Sequence, residues 1–258
     1  MLFRRILEHV VKQNWTAIAI DFLIVVAGVF VGMQVSNWNS NRLEQSRAHG
    51  YLLRIQTNLE RDRQGMDGAL AYWGEVIRYG EVAVGYADHS ELADGSRWRT
   101  VLAFYQASQM LPFSLDDTTY QELKSAGDLG LIRNGELRSA LAAYYVTGPL
   151  PSSPHLMRYN PEYRTLVRGY TPIEVTKYIW TSCVLRSGEQ DESFDPDCAS
   201  PVTDADAQKI LDGYLAAPGL LPALRFWITN QKVASQLLKG VRRDSAALAE
   251  LVGAELIR

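Results

Sequence analysis

The feature that most constrains this chain is the apolar stretch AIAIDFLIVVAGVFVGMQVS near its N-terminus. From Thr16 to Met33, the only charged residue is Asp21. As an α-helix these residues rise about 27 Å, and extension to Ser36 gives about 31 Å, which matches the roughly 30 Å hydrocarbon core of a bilayer. The sequence therefore predicts a transmembrane helix over residues 16–36.

The flanks of this stretch indicate how it sits in the membrane. Trp15 and Trp38 bracket it, at positions where aromatic rings favour the lipid headgroups. Basic residues lie before and after it: Arg4, Arg5, Lys12, Arg42 and Arg47. This bias favours a cytoplasmic N-terminus, with the rest of the chain outside the cytoplasm. A cleaved signal peptide is the alternative, but the basic region is long, the apolar run exceeds the usual length and no A-x-A site follows.

Asp21 shares one face of the predicted helix with two glycines. At 100° per residue, Asp21, Gly28 and Gly32 lie within about 20° of one line, and a Gly-x-x-x-Gly spacing lets a second helix approach closely. Three roles for the carboxylate remain open: an interfacial residue that reaches the headgroups, a helix–helix contact, and an ion-coupling group. The predicted partners are the lipid bilayer and either a membrane protein or a second copy of the chain.

The only two cysteines, Cys183 and Cys198, enclose a short polar loop. In an oxidising compartment this spacing predicts a disulfide, whereas a cytosolic chain would keep two free thiols. Acidic residues at 189–197 lack the spacing of a calcium-binding loop and indicate a solvated loop. The four histidines are scattered, so neither a metal site nor another cofactor is predicted.

Apolar residues recur at three- and four-residue steps beyond the span, and almost no stretch alternates as a strand does. The sequence predicts an all-α fold, in which the transmembrane helix continues into an extracytoplasmic helical bundle. Gly65 and Gly68 are points where the first long helix could be interrupted. The predicted segments are a cytoplasmic tail (1–15), the span (16–36), a membrane-proximal helical domain (37–148), an irregular segment with the disulfide loop (149–202) and C-terminal helices (203–258).

Shorter predicted helices follow from capping signals and apolar periodicity. Their bounds are Trp98–Leu111, a helix capped by Asp117 or Thr118 that runs through Leu123, a helix capped by Asn134, Thr203–Ala217, Leu221–Lys239 and Asp244–Leu256. Gly127 is the predicted residue just after the second of these helices.

Two stretches together resemble a family of bacterial single-pass membrane proteins that is known only as a domain of unknown function. The first is the exit from the span, Gln34 to Asn39, which has Ser36 where an asparagine is more usual. The second is TTYQELKSAGDLGLI, whose matching residues are Thr119, Tyr120, Glu122, Leu123, Ser125, Gly127, Leu129, Leu131 and Ile132. The resemblance covers residues 1–146 and implies membrane anchoring, with no established activity and no catalytic residues.

The stretch TAIAIDFLIVV is also similar to the span of proton-driven stator subunits of the biopolymer-transport and Tol type. That resemblance implies a cycling role for Asp21. Those subunits carry small α/β or peptidoglycan-binding domains, however, which differ from the helical pattern seen here.

Several functions are disfavoured. A net charge of −3 without a clustered basic face argues against nucleic-acid binding. No nucleophile elbow, zinc-protease helix or phosphate loop is present, and helix capping accounts for the acidic pair at 116–117. The sequence thus predicts a non-enzymatic, membrane-anchored interaction protein that packs through Asp21, Gly28 and Gly32. The alternatives are a stator-like ion-coupled subunit and a periplasmic ligand sensor that signals through a partner.

Overall fold

The computed structural model describes residues 15–152, 160–186, 192–195 and 197–257. The chain is about 81% helical, which confirms the predicted helical class. The helices of eight or more residues are α1 (Trp15–His89), α2 (Arg97–Gln106), α3 (Thr118–Ser125), α4 (Gly135–Ala142), α5 (Glu162–Tyr170), α6 (Ile173–Ser182), α7 (Asp204–Ala216) and α8 (Leu220–Leu256). Strands β1 (Val184–Arg186) and β2 (Glu192–Phe194) pair antiparallel.

Helix α1 runs for 75 residues, about 110 Å, without a break. It contains no proline, the residue that most strongly kinks a helix. The interruption considered at Gly65 or Gly68 does not occur. A Cβ on Gly65 would lie 3.1 Å from Cε2 of Phe113, so this glycine serves the close packing of the Phe113 ring against α1.

Helix α8 is a single helix, whereas the sequence pattern predicted a gap between Lys239 and Asp244. It lies antiparallel along α1, as three ion pairs show. Their members are Arg225 with Asp88, Lys232 with Glu81, and Arg242 with Asp67. Continuous packing on α1 favours one helix, because buried side chains before and after the expected gap, Leu238 and Ser245 among them, belong to one face.

Two hydrophobic cores lie along the α1–α8 pair. The first contains Ile55 and Leu59 of α1, together with α3, α4 and the C-terminal half of α8. The second contains the end of α1, together with α2, α5, α6, α7 and the N-terminal half of α8. We call them the proximal and the distal core, by their distance along α1 from the apolar stretch. Both draw on the predicted membrane-proximal and C-terminal segments, which therefore pack together.

Local signals predicted some helix ends correctly. Asn134 caps α4, since its Oδ1 accepts from the backbone N–H groups of Glu136 and Leu137, and Gly127 follows α3 with φ of +75°. The predicted end of α2 at Leu111 is wrong. The helix stops at Gln106 because the Ser108 Oγ donates to the Tyr105 carbonyl, which accepts the Ser108 N–H as well.

Candidate functional site

The apolar stretch of α1 lies outside both cores. Every side chain described from Phe22 to Arg47 is exposed, and Phe22 itself is 68% exposed. Within the described residues, α1 is the one helix long and apolar enough to cross a membrane, and none of its apolar window is buried by the fold. A core helix would bury such a window, so this stretch is a candidate membrane span.

The predicted contact residues lie on this exposed stretch. A Cβ on Gly28 or Gly32 would meet nothing within 4 Å, so both positions are open to a second helix. Asp21 and Trp15 belong to α1, but their side chains lie outside the described part of the chain. Trp38 is exposed, with the Arg42 guanidinium 5.9 Å from its ring centre. The rest of the fold therefore leaves the Gly28–Gly32 face uncovered.

The buried face of α1 points away from this glycine face. Ile55 and Leu59 are fully buried in the proximal core. At 100° per residue, Ile55 lies about 180° around the helix from Gly28 and about 140° from Gly32. A second helix that packs on the glycines would therefore contact the side of α1 opposite to the side that packs in the proximal core.

Cys183 and Cys198 form the predicted disulfide, with their Cα atoms 5.2 Å apart. The bridge closes the β1–β2 hairpin and ties it to α2, because the Trp98 Nε1–H donates to the Cys198 carbonyl at 2.9 Å. The hairpin also contacts α1: the Phe194 ring centre lies 5.3 Å from that of Tyr72 and 5.9 Å from that of Tyr79. The disulfide thus holds the hairpin against the distal core.

Part of the acidic segment at 189–197, including Glu189 and Asp191, lies outside the described residues. Within the part of the chain that the structure describes, no group of three or more His, Cys, Asp or Glu side chains could hold a metal ion.

A groove of about 1190 Å³ runs beside α1. Its walls are residues 61–75 of α1, the loop Leu111–Asp116 that follows α2, and the Ser193–Phe194 end of the hairpin. Gly65, Gly68 and Ala69 form its small-residue floor, and Asp62 lies at one end. The groove therefore joins the two cores on one side of α1.

Asp62 is a buried carboxylate, 4% exposed, which no described cation pairs with. Its Oδ1 accepts from the Asp116 N–H at 2.9 Å, and its Oδ2 accepts from the Tyr144 hydroxyl at 2.8 Å. Burial raises the pKa of Asp62, although both hydrogen bonds oppose this effect, and burial likewise raises the pKa of Tyr144. Because the two bonds join the groove loop and the π-helical turn Ala143–Thr147, which follows α4, to α1, this carboxylate fixes the shape of the groove.

Asn58 supports the same loop from one turn earlier on α1. Its Nδ2 donates to the Asp116 carbonyl at 3.1 Å, and its Oδ1 accepts from the Thr119 hydroxyl at 3.4 Å. Neither Asp62 nor Asn58 was singled out from the sequence, because a polar residue within an amphipathic pattern resembles any solvated position. Their partners lie 54 to 82 residues away, and local spacing carries no signal of them.

Comparisons with known proteins add no relative: no family model, no curated protein and no solved structure matches this chain. The resemblance carried by residues 34–39 and 118–132 remains a prediction.

Proposed function

We propose that this chain is a membrane-anchored helical interaction protein, a subunit or accessory of a membrane complex. Residues 16–36 would span the bacterial inner membrane, with the N-terminus in the cytoplasm and both cores in the periplasm. The observation that carries the proposal is the apolar first part of α1, whose described side chains from Phe22 to Ser36 are all exposed. In water such a surface is unfavourable, by about 25 cal/mol for each Å² of apolar area, and lipid or a partner helix would remove that cost.

The contact face we assign contains Asp21, Gly28 and Gly32. Glycines four residues apart let two helix backbones approach closely. In lipid, where there is no hydrophobic driving force between helices, this close packing drives helix association. The geometry of α1 supports this assignment, because a partner on this face would not collide with the domain on the opposite side. A carboxylate on the same face is then sheltered by the partner rather than by lipid.

The periplasmic placement is supported by the disulfide, and the exposed part of α1 that follows the apolar stretch would set the domain apart from the membrane. Disulfides persist in oxidising compartments, and the periplasm is one. Residues 37–46 are exposed and add about 15 Å of helix before the first long-range contact, the ion pair of Arg47 with Asp128. The domain would therefore stand clear of the membrane surface, where it can contact another periplasmic or membrane protein.

The test has two stages. Membranes from cells that express the full chain are washed with alkaline carbonate, and the chain should stay in the pellet. The extracted protein is then sized by light scattering in detergent, where we expect a fixed assembly larger than one chain. Release by carbonate, or a clean monomer, would refute the proposal.

A matched pair of substitutions tests the contact face. Gly28→Ile and Gly32→Ile should disrupt the assembly, because a branched side chain there prevents close helix approach. Ala27→Ile adds a similar volume about 100° around the helix from Gly28 and should leave the assembly intact. Equal effects at all three positions would show that the glycine face is not the contact.

A further inference from the structure

Two half-buried arginines lie side by side in the distal core. Arg164 and Arg168 are one turn apart on α5, so both side chains project from the same face of that helix. This face meets the residues that follow α2, since both guanidiniums bond to Ser108. The positive charge of Arg164 contributes to lowering the pKa of Arg168.

Neither guanidinium has a carboxylate partner within the described ranges. Arg164 Nη1 donates to the Ser108 carbonyl at 2.7 Å, while Arg168 donates to the Ser108 hydroxyl at 3.2 Å and to Gln109 Oε1 at 2.8 Å. Arg168 also lies between two aromatic rings, 5.1 Å from the centre of Tyr105 and 5.4 Å from that of Trp180. All of these partners are neutral, so no acidic side chain in the part of the chain that the structure describes offsets either positive charge.

This arrangement differs from that of the arginines along the α1–α8 pair. Arg225 and Arg242 each reach an aspartate, although they lie on the surface, where an ion pair contributes little. Buried charges normally require a partner more than exposed ones do. Burial lowers the pKa of Arg168 to about 10 and also lowers that of Arg164. The fold thus partly buries these two guanidiniums, and no acidic side chain among the described residues pairs with them.

The hydrogen-bond network that starts at Arg168 ends on an unsatisfied donor. Gln109 Nε2 donates to Gln106 Oε1 at 3.0 Å, and Gln106 is fully buried. Among the residues that the structure describes, its own Nε2 has no hydrogen-bond partner. A buried amide group without a partner costs about 1–3 kcal/mol, so native folds rarely keep one without a reason.

The arginine pair bonds to residues that lead into the groove loop. Ser108 and Gln109, which accept from the two guanidiniums, precede Leu111, the first residue of the loop that lines the groove. On Arg164, only Nη1 donates within the described residues, which leaves the Nε and Nη2 donors of a rigid, planar fork. Donors of this geometry match the paired oxygens of a carboxylate or a phosphate.

We propose that Arg164 and Arg168 form an oxyanion-binding site, which takes the carboxylate or phosphate group of a ligand that enters from the groove. The anion would accept from the remaining donors of Arg164 and offset the positive charge of the pair. Ser108 and Gln109 position the two guanidiniums, and the aromatic rings around Arg168 keep it from turning away. This inference does not depend on the membrane anchoring proposed above.

The experiment measures thermal unfolding of the full chain in detergent, by tryptophan fluorescence. Sodium phosphate and sodium acetate are titrated against sodium chloride at equal ionic strength. We expect a saturable rise in the unfolding temperature with at least one oxyanion, of about 3–6 °C at ten times its dissociation constant. A response to phosphate alone assigns a phosphoryl ligand, and a response to acetate alone assigns a carboxylate. No rise beyond that with chloride would overturn the proposal.

Variants separate binding at this site from a general salt effect. Arg164→Gln removes one charge and a single hydrogen bond to protein, so it should fold and should weaken the oxyanion response at least tenfold. Arg164→Lys keeps the charge but loses the fork, and should restore part of the response. Arg225→Gln removes an exposed arginine from the half of α8 that packs in the distal core. This variant should show the same oxyanion response as the original chain. An unchanged response in Arg164→Gln, or an equal loss in Arg225→Gln, would refute the site.

Discussion

The contact between Gly80 of α1 and Ile228 of α8 makes the packing of the two long helices directly testable. A Cβ built on Gly80 would lie 2.0 Å from Ile228 Cδ1 and 2.5 Å from its Cγ1. The Gly80→Ala variant must therefore displace the Ile228 side chain, which is 6% exposed and has little room to move. Overpacking of this kind costs about 1–3 kcal/mol, whereas alanine gains about 1 kcal/mol over glycine inside a helix.

We expect a net loss of about 1 kcal/mol for Gly80→Ala, or roughly 3 °C in the unfolding temperature. The matched control is Gly74→Ala on the same helix, where a Cβ would meet nothing within 4 Å. The same chemical change should stabilise the chain there by up to 1 kcal/mol. If the two Gly→Ala changes, six residues apart, alter the free energy of unfolding in opposite directions, the difference is specific to the α1–α8 contact.

A double-mutant cycle strengthens the test. Ile228→Ala alone should cost about 2–4 kcal/mol because it leaves a cavity. Combined with Gly80→Ala, it should cost at least 1 kcal/mol less than the sum of the two single changes, since the new methyl group takes up the vacated space. The measurement is urea unfolding of the full chain in detergent, followed by circular dichroism. Stabilisation by Gly80→Ala, or strict additivity in the cycle, would refute the packing described here.

Three further predictions concern single contacts. Burial raises the pKa of Asp62 above its usual 3.8, so the carboxyl binds its proton more tightly in the folded chain. The stability of the original chain relative to Asp62→Asn should therefore fall as the pH rises above about 4. Urea unfolding across a pH series measures this difference, and a difference that stays constant with pH would contradict the prediction. Replacing Cys183 and Cys198 together with serine should cost about 3 kcal/mol for their separation of 15 residues, and an unfolding temperature equal to that of the oxidised chain would count against it. Asn134→Ala removes the cap of α4 and should cost about 1 kcal/mol in the same urea assay, where no change would show that the cap is dispensable.

Helix ends set by a side chain next to them could be predicted from the sequence, whereas helix continuity could not. Asn134 and Gly127 act within three residues of the backbone groups they satisfy, so a short window contains the whole interaction. The sequence pattern predicted a gap between Lys239 and Asp244, and Gly240 lies within it. In the fold, a glycine inside α8 costs only about 1 kcal/mol, and packing of that helix on α1 outweighs it.

The candidate sites divide in the same way. The apolar stretch, the Gly28–Gly32 face and the disulfide all depend on residues near one another in the chain, and each could be predicted from its spacing. The groove and the arginine pair depend on contacts between segments more than 50 residues apart, such as Arg168 with Gln109. The i,i+4 spacing of two arginines on α5 was visible in the sequence, but a solvated helix face gives the same spacing. The two arginines differ from a solvated helix face only in that they are partly buried and have no acidic partner among the described residues.

The continuity of α1 connects the proposed anchor with the proposed anion site. One unbroken helix extends from the apolar stretch to the distal core, and α8 is fixed along it by ion pairs and by both hydrophobic cores. Helix α1 contains no proline, and its hydrogen-bond ladder is not interrupted. It therefore has no hinge at which the span and the domain could turn independently. A partner that packs on Gly28 and Gly32 would therefore also fix the direction in which the groove faces. Under this geometry, a ligand bound at Arg164 and Arg168 can influence the membrane partner only by moving the domain and its span as one body.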